Sequence, residues 1–402
     1  TLAAILWAAP GRAQTRPMEI EDQYRIKRVG SPQVSPDGEW VAYTVSTTDL
    51  EKDQTRTQIW MVSTGGGDPI PLSMSGESAS SPKWSPDGKY LSFTATRGED
   101  AKSQVWVLDR RGGEAQALTD VKQGVGGYEW SPDGSKLVLT IRDPDTTKAS
   151  EGDDATPNVP EPWVVTRLQT KRDGQGYLTD KRKTHLYVFD IKTKGLTQIT
   201  SGRWDEGSPA WSPDGSKIAF SSNRTEDPDA NSNSDIWVVS STNTDMGATL
   251  IPITDYEGGD GGPAWSPDGK WIAYTTGLND PRFGAFETSH LAVRASDGSG
   301  GRRVLTEALD RNVRSPEFTT DGRGILVAVA DEGDGQRVTV QLFEPAGKAQ
   351  SLVVELERFG TPAAVTVPVV QAVGVGRQQG VVVVRVGQGL RAEAASRSGL
   401  LQ

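Results

Sequence analysis

The sequence predicts an all-β chain: a β-propeller of four-stranded blades, with six recognisable repeats that belong to an incomplete seven-bladed ring. The main observation is the tetrapeptide Ser-Pro-Asp-Gly, which occurs five times and follows tryptophan in four of the copies. The copies begin at Ser35, Ser85, Ser131, Ser212 and Ser266, and an altered sixth copy spans Phe318–Gly322. Their starts are 50, 46, 81 and 54 residues apart, and a period of this size is typical of repeat architectures.

Each tetrapeptide predicts a tight turn that leads into a strand. Proline fixes φ, aspartate hydrogen-bonds its own backbone, and glycine adopts a conformation that other residues resist. Large and small residues then alternate with a period of two, as expected of a strand buried on both faces. These strands lie at Trp40–Tyr43, Tyr90–Phe93, Ile218–Phe220 and Trp271–Tyr274.

Two further strands recur in each repeat. One begins with a polar residue and lies at Gln58–Val62, Gln104–Leu108, His185–Phe189, Asp235–Val239 and His290–Val293. The next is short and ends in threonine, at Ala117–Thr119, Gln198–Thr200, Pro252–Thr254 and Val304–Thr306. With the strand that ends in the Trp-Ser pair, each repeat has four strands, which is the content of one propeller blade.

Seven of the twelve tryptophans recur at equivalent places in the repeats. They are Trp60, Trp84, Trp106, Trp130, Trp211, Trp237 and Trp265. We expect them to pack between blades rather than to stack on a ligand. The four that precede Ser-Pro-Asp-Gly are expected to be buried at equivalent sites.

Composition limits the function. The 402 residues include 45 glycines and only 35% hydrophobic residues, which suits short strands and many turns. The net charge of −10 argues against a nucleic-acid partner. The absence of cysteine excludes disulfides and thiol chemistry. No apolar run is as long as a membrane-spanning helix, so no membrane span is predicted.

The chain divides into three predicted regions. Residues 1–13 resemble the end of a signal peptide cut after Ala13, which predicts export to the periplasm or outside the cell. Residues 18–356 form the propeller, with an insertion at 143–183 that is either a binding-face loop or a tolerated surface loop. Residues 357–402 form an atypical tail rich in valine, glycine and arginine, interpreted as an out-of-frame segment or a degenerate repeat.

No catalytic, cofactor-binding or metal-binding residue is assigned from the sequence. The chain has no Gly-x-Ser-x-Gly nucleophile elbow. Its two histidines, His185 and His290, stand at a recurrent strand position and are interpreted as ordinary strand residues. The run Asp227–Asp235 spaces its oxygens like a calcium loop but lacks the central glycine and the final glutamate, so a hairpin loop is predicted. No cofactor is expected.

The repeat Trp-Ser-Pro-Asp-Gly-Lys-x-Ile-Ala-Phe/Tyr resembles that of the Tol-system periplasmic propeller and of the N-terminal propellers of prolyl oligopeptidase-family serine peptidases. Longer stretches resemble the second group, in its acylaminoacyl-peptidase and dipeptidyl-peptidase-like bacterial branch. These stretches are Met18–Ile26 leading into Ser31–Gly38, Pro162–Leu168, Lys171–Leu178 and Ser221–Pro228. The resemblance covers about residues 18 to 356.

The resemblance implies a partner and a substrate. Members of that family carry an α/β-hydrolase domain with a Ser, Asp, His triad, and their propeller limits access to short peptides. No position here matches a triad residue, so the chain is expected to be the non-catalytic, substrate-gating propeller of a truncated, exported serine peptidase acting on oligopeptides. The alternatives are a stand-alone Tol-like interaction scaffold in the periplasm, or a propeller enzyme of another chemistry such as a lactonase or lyase.

Overall fold

The structure is a computed structural model that describes residues 19–73, 78–98, 101–144, 168–173, 176–178, 180–278, 288–330 and 338–342. The predicted signal peptide at 1–13 and the tail at 357–402 lie outside the described residues. The chain divides into two compact units, residues 1–82 and 83–402. Each unit is described by itself.

The first unit contains one short helix and one complete sheet. The helix α1 spans Asp22–Arg25. The strands are β1 (Arg28–Val34), β2 (Trp40–Asp49), β3 (Gln54–Ser63) and β4 (Ile70–Pro71), antiparallel in the order β1-β2-β3-β4. We call this sheet blade 1. Its buried residues include Ala42 and Ile59, which are fully inaccessible to solvent.

Blades 2 and 3 follow. Blade 2 comprises β5 (Ala79–Trp84), which starts at the end of the first unit, β6 (Tyr90–Ala95), β7 (Gln104–Asp109) and β8 (Gln116–Ala117). Blade 3 starts with β9 (Gly127–Trp130) and β10 (Lys136–Arg142), is interrupted by a hairpin of β11 (Lys171–Arg172) and β12 (Gly176–Tyr177), and ends with β13 (Thr184–Asp190) and β14 (Leu196–Gln198). The predicted insertion therefore falls between the second and third strands of blade 3.

Three more blades complete the described part of the chain. Blade 4 comprises β15 (Gly207–Trp211), β16 (Lys217–Ser222), β17 (Asp235–Ser240) and β18 (Ile251–Pro252), and blade 5 comprises β19 (Asp260–Trp265), β20 (Trp271–Thr276), β21 (His290–Ala295) and β22 (Arg303–Val304). Blade 6 shows three strands, β23 (Val313–Phe318), β24 (Ile325–Ala330) and β25 (Val338–Leu342). The predicted all-β propeller of four-stranded blades is confirmed. The region where a seventh repeat would fall lies outside the described residues.

The Ser-Pro-Asp-Gly turns share one hydrogen-bond pattern. In blade 3 the Ser131 hydroxyl donates to Asp133 Oδ1 at 2.6 Å and accepts from the backbone of Lys136 at 2.9 Å. Asp133 also accepts from the backbone of Ser135 at 3.0 Å. The altered sixth copy keeps this pattern because its threonine supplies the same hydroxyl, which donates to Asp321 at 2.6 Å.

The turns of the second unit also contact one another. A Cβ built at Gly134 would lie 3.5 Å from Pro86 Cδ of the preceding turn, and one at Gly322 would lie 3.5 Å from Pro267 Cδ. Both glycines have positive φ, 69° and 68°. Glycine is therefore favoured by the positive φ of the turn, whereas a Cβ there would make only ordinary van der Waals contact with the proline of the neighbouring turn.

The core of the second unit lies between blades. One cluster joins Val138 and Leu186 of blade 3 to Ile218 and Phe220 of blade 4. The tryptophans before the turns reinforce these contacts through indole N–H groups that donate to the preceding blade. The bonds are Trp130 to Ser92 Oγ at 2.8 Å, Trp211 to Glu129 O at 3.2 Å and Trp265 to Ala210 O at 3.1 Å.

The tryptophan prediction needs one correction, which concerns burial; Trp237 packs against the cluster between blades 3 and 4 as expected. Trp84 and Trp211 are buried, with 8% and 7% exposure, but Trp130 and Trp265 are only partly buried. The second recurrent set differs in its hydrogen bonds, because Trp106 and Trp237 donate within their own blades, to Ala95 O and Ser222 O. These indoles start from the third strand and bond the end of the second strand, so they tie one blade together.

Candidate ligand cavity on the inner strands

The first strand of most blades carries a β-bulge at a Ser-Pro or Gly-Pro pair. The register shifts between Gly207 and Ala210 in blade 4 and between Gly261 and Ala264 in blade 5. Blade 6 repeats the shift, and there Ser315 has a φ of 51°. A non-glycine residue in this region stores about 1–3 kcal/mol of strain, and such residues concentrate at ligand sites.

These bulges line a cavity of about 430 Å³ in the second unit. The first strands of blades 3 to 6 all contribute to it. Its described lining residues include the charged residues Glu129 and Arg314, the serines Ser208 and Ser289, and the small residues Ala210 and Gly262. The volume is in the range of about 300–1,000 Å³ that small ligands occupy.

The two charged residues of the cavity differ in their surroundings. Glu129 Oε2 lies 2.5 Å from Lys83 Nζ, so its charge is compensated within the fold. Arg314 is exposed, and its guanidinium makes no hydrogen bond or ion pair with any residue that the structure describes. Among the described residues that line the cavity, Arg314 is therefore a cation that is open to a ligand.

A second hollow, of about 680 Å³, lies beside blade 2. Arg97 stacks on Trp106 there, with its guanidinium carbon 4.2 Å from the ring centre. The Gln104 side chain accepts from Thr119 and donates to Val121 O, and Lys194 donates to Leu118 O at 3.2 Å. These polar groups are satisfied by the protein, so this hollow is the weaker candidate.

The third strands of blades 2 to 5 each carry a polar residue near their start, and we call this set the polar layer. In blades 2 to 5 a threonine hydroxyl accepts from the backbone of the strand's second residue, as Thr200 does from Leu186 at 2.8 Å and Thr254 from Ile236 at 2.8 Å. The residue immediately before this backbone donor, which is the member of the polar layer, differs between blades. It is Gln104, His185, Asp235 or His290 in blades 2 to 5.

His185 lies in strand β13 and also belongs to a buried ionic cluster, which the sequence pattern did not predict. Its Nδ1 lies 2.7 Å from Glu206 Oε2, and Arg224 Nη2 lies 2.5 Å from Glu206 Oε1. The Glu206 side chain is fully buried. Burial alone would lower the pKa of His185, but the hydrogen bond to Glu206 and the charges of Glu206, Asp143 and Asp205 raise it.

The other members of the polar layer have different partners. His290 is buried and bonds neutral groups, with Nδ1 2.9 Å from Thr306 O and Nε2 3.0 Å from the Thr288 hydroxyl. Asp235 accepts from Thr254 at 3.1 Å. Burial raises the pKa of Asp235 to about 7, and the negative charges of Asp260 and Asp255 add to the rise. The hydrogen bond from Thr254 has the opposite effect on this pKa.

The calcium-like run forms a loop closed by amides. Asn223 Nδ2 donates to Asn231 Oδ1 at 2.9 Å, and Asp229 Oδ2 accepts from the backbone of Gln169 at 2.9 Å. Within the described residues, no group of three or more His, Cys, Asp or Glu is placed to hold a metal ion. In that same part of the chain, no helix is long and apolar enough to cross a membrane.

Sequence reasoning missed Glu206, Arg224 and Arg314. A signal for two of them existed in the repeats. The position of Glu206 holds Val29, Ala79, Val125, Asp260 or Val313 elsewhere, and that of Arg314 holds glycine or serine. An acidic residue stands at the first position only in blades 4 and 5, and an arginine stands at the second only in blade 6, so these residues depart from the repeat and mark individual sites.

Comparison with known proteins agrees with this architecture. Residues 176–355 match the family model described as PD40, the TolB β-propeller domain. The chain is 32% identical over 219 residues to an uncharacterized peptidase, YuxL, of Bacillus subtilis, covering 54% of this chain and 33% of that protein. It is 28% identical over 329 residues to dipeptidyl-peptidase 5 of Porphyromonas gingivalis, covering 77% of this chain and 46% of that protein.

Solved structures show the same fold. The uncomplexed acylaminoacyl peptidase of Pyrococcus horikoshii superposes with a TM-score of 0.58 at 17% identity, over 84% of this chain and 47% of that chain. The chain spans between a third and a half of the length of these relatives. It carries a PD40 β-propeller domain, and its curated relatives are peptidases, so the predicted resemblance is confirmed.

Proposed function

We propose that this PD40 β-propeller is the non-catalytic, substrate-gating domain of an exported serine peptidase that acts on oligopeptides. The observation that carries the proposal is the sequence similarity to peptidases, which reaches 32% identity over 219 residues. The propeller contributes shape and polarity rather than a reacting group. Its partner is an α/β-hydrolase domain that supplies the serine, aspartate and histidine of an acyl-enzyme mechanism.

The inner-strand cavity suits this role. It is lined by the Ser208 and Ser289 side chains and by the small residues Ala210 and Gly262. Such walls offer hydrogen bonds to a peptide backbone without large side chains that would select one sequence. Each bulged strand is hydrogen-bonded to the second strand of its own blade, which holds the cavity wall in place. In the proposed gate, a short peptide enters this cavity and a folded protein is excluded.

A Tol-like interaction scaffold remains the second candidate, since the matching family model is described as a TolB propeller. A scaffold uses an outer face to hold another protein, whereas a gate uses the cavity. Affinity purification of the tagged chain from its own cell envelope separates the two candidates. Stoichiometric recovery of an envelope protein with no peptidase activity supports the scaffold.

The experiment for the gating role narrows the cavity in the complete gene product. Ala210→Trp adds bulk at a cavity wall, and Ala248→Trp adds the same bulk on an exposed outer turn. We expect Ala210→Trp to reduce kcat/KM for a hexapeptide about tenfold, or ~1.4 kcal/mol of transition-state stabilisation. A small chromogenic ester should be hydrolysed as before, and Ala248→Trp should behave as wild type.

Two outcomes contradict the proposal. The gating role fails if Ala210→Trp hydrolyses the ester and the hexapeptide with unchanged rates. The peptidase role fails if the complete gene product neither cleaves peptides nor reacts with a fluorophosphonate.

A further inference from the structure

One position on the inner strands departs from its repeat in blade 6. Five residues before the first residue of the turn, blades 1 to 5 carry glycine or serine, and in blades 1, 4 and 5 this residue immediately precedes the bulge. The five residues are Gly30, Ser80, Gly126, Gly207 and Gly261. Blade 6 places Arg314 there.

The cross-strand neighbour changes in the same blade. In blades 4 and 5 the glycine pairs with a hydroxyl residue that donates to its carbonyl, Ser221 to Gly207 O at 3.2 Å and Thr275 to Gly261 O at 3.0 Å. In blade 1 a Cβ at Gly30 would lie only 3.3 Å from the hydroxyl oxygen of Thr44. The small residue thus lies opposite a hydroxyl residue in these three blades, and the space for a Cβ is tight in blade 1 and ordinary, at 3.7 and 3.9 Å, in blades 4 and 5.

Blade 6 has neither the small residue nor the hydroxyl residue opposite it. Arg314 pairs with Ala328, which has no hydroxyl to approach the Arg314 Cβ or to bond its carbonyl. A residue with a long side chain consequently fits at Arg314, and the fold gains no hydrogen bond or ion pair from its guanidinium among the described residues. Arg314 lies at the wall of a cavity, and its guanidinium bonds no described residue, so it is available to bind a ligand.

The charged residues that line the cavity indicate the charge of its ligand. Glu129 is the carboxylate among the lining residues, and Lys83 at 2.5 Å compensates it. The remaining charge is that of Arg314, whose planar guanidinium binds carboxylates in a bidentate manner. Ser289 and Ser315 line the same cavity. The Ser289 hydroxyl donates to Val313 O at 2.8 Å and can still accept from a ligand, and Ser315 offers a second hydroxyl.

We propose that Arg314 binds a carboxylate of a short peptide in this cavity, so that the propeller selects anionic peptides. The carboxylate comes from the peptide C-terminus or from an acidic side chain. The proposal rests on the proposed function, since it assumes that peptides enter the cavity. It adds the substrate class, and it identifies Arg314 as a specificity-determining residue rather than a catalytic one.

The test measures peptide binding to the purified chain by isothermal titration calorimetry. The probes are a neutral tripeptide with a free C-terminus, the same tripeptide amidated, and an amidated tripeptide with one glutamate. The variant is Arg314→Ser, which restores the residue type of Ser80. The control is Arg323→Ser, at an exposed arginine in the blade 6 turn.

We expect at least one carboxylate-bearing tripeptide to bind wild type about tenfold more tightly than the neutral amide, a preference that salt weakens. Arg314→Ser should abolish the preference, and Arg323→Ser should keep it. The probe that is preferred identifies the source of the carboxylate. Thermal melting of both variants shows whether they remain folded.

Other outcomes overturn the inference in distinguishable ways. If wild type binds the acid and amide forms equally, or if Arg314→Ser keeps the preference, Arg314 does not select anions while the gating role stands. If no tripeptide binds wild type, the cavity does not receive peptides, and the inference and the proposed use of the cavity both fail.

Discussion

His185 shows how one position of the repeat acquires its own chemistry. In its blade, as in the others, the neighbouring hydroxyl satisfies the strand backbone, here Thr200 with Leu186. The side chain at the first position is therefore free to vary. In blade 3 it meets Glu206, which is buried and also held by Arg224. A buried carboxylate requires such partners, because its desolvation costs several kcal/mol.

The pH dependence of stability tests this cluster at the residue scale. Burial alone would lower the pKa of His185, but Glu206, Asp143 and Asp205 raise it. A raised folded-state pKa gives stability that is complete below the unfolded value of about 6.5 and is lost as pH rises through the folded-state pKa. His185→Gln, which installs the residue of blades 1 and 2, should therefore cost ~1–2 kcal/mol at low pH and less at high pH.

Urea unfolding between pH 5.5 and 9 measures the difference between wild type and His185→Gln. The matched control is His290→Gln, because His290 bonds a carbonyl and a hydroxyl rather than a carboxylate. Its cost reports the loss of packing and of these two bonds to uncharged groups. A His185→Gln cost that is flat or that grows with pH would contradict the cluster's proposed ionic character.

At the scale of the element, the turn was the best predicted part of the chain. Proline, aspartate and glycine have local preferences that act without tertiary context, so Ser131–Gly134 and its equivalents fold as expected. The strands that follow were also predicted, because a period of two is visible in the sequence. The Glu206 cluster was not, since its members come from two blades and meet only through packing between them.

Asp133 provides the stability test for the turn. The Ser131 and Ser135 hydroxyls and the Ser135 backbone lower the pKa of Asp133 to about 2. A lowered pKa gives stability above the unfolded value of about 3.9 that is lost as pH falls through the folded value. Because the carboxylate is exposed and screened by solvent, we expect Asp133→Ala to cost only ~0.5–1 kcal/mol at neutral pH.

Thermal melting from pH 7 down to pH 2 checks this turn. The difference between wild type and Asp133→Ala should shrink as the pH approaches 2. Asp120→Ala is the control, because Asp120 is exposed and makes no side-chain hydrogen bond to a described residue. Equal effects of the two substitutions would show that the turn aspartate does not stabilise the fold.

At the scale of the whole second unit, stability is distributed between neighbouring blades. Each hydrophobic cluster there joins consecutive blades, as Val138 of blade 3 meets Ile218 of blade 4. Ile236 of blade 4 meets Tyr274 of blade 5 in the next cluster. Repeat proteins with such nearest-neighbour contacts have stabilities close to a sum of unit and interface terms. A defect at one interface should therefore remain local.

Trp211 tests whether the effect of a core defect is local. It is 7% exposed, packs between blades 3 and 4, and donates to Glu129 O at 3.2 Å. Trp211→Ala should cost about 3–5 kcal/mol of local stability, whereas Trp211→Phe keeps most of the packing and loses the hydrogen bond, at ~1 kcal/mol. Hydrogen exchange followed by mass spectrometry should show lost protection in β10 and β16 and unchanged protection in β24. An equal loss in all three strands would show that residues 83–330 unfold as one cooperative unit, and that the nearest-neighbour description does not hold.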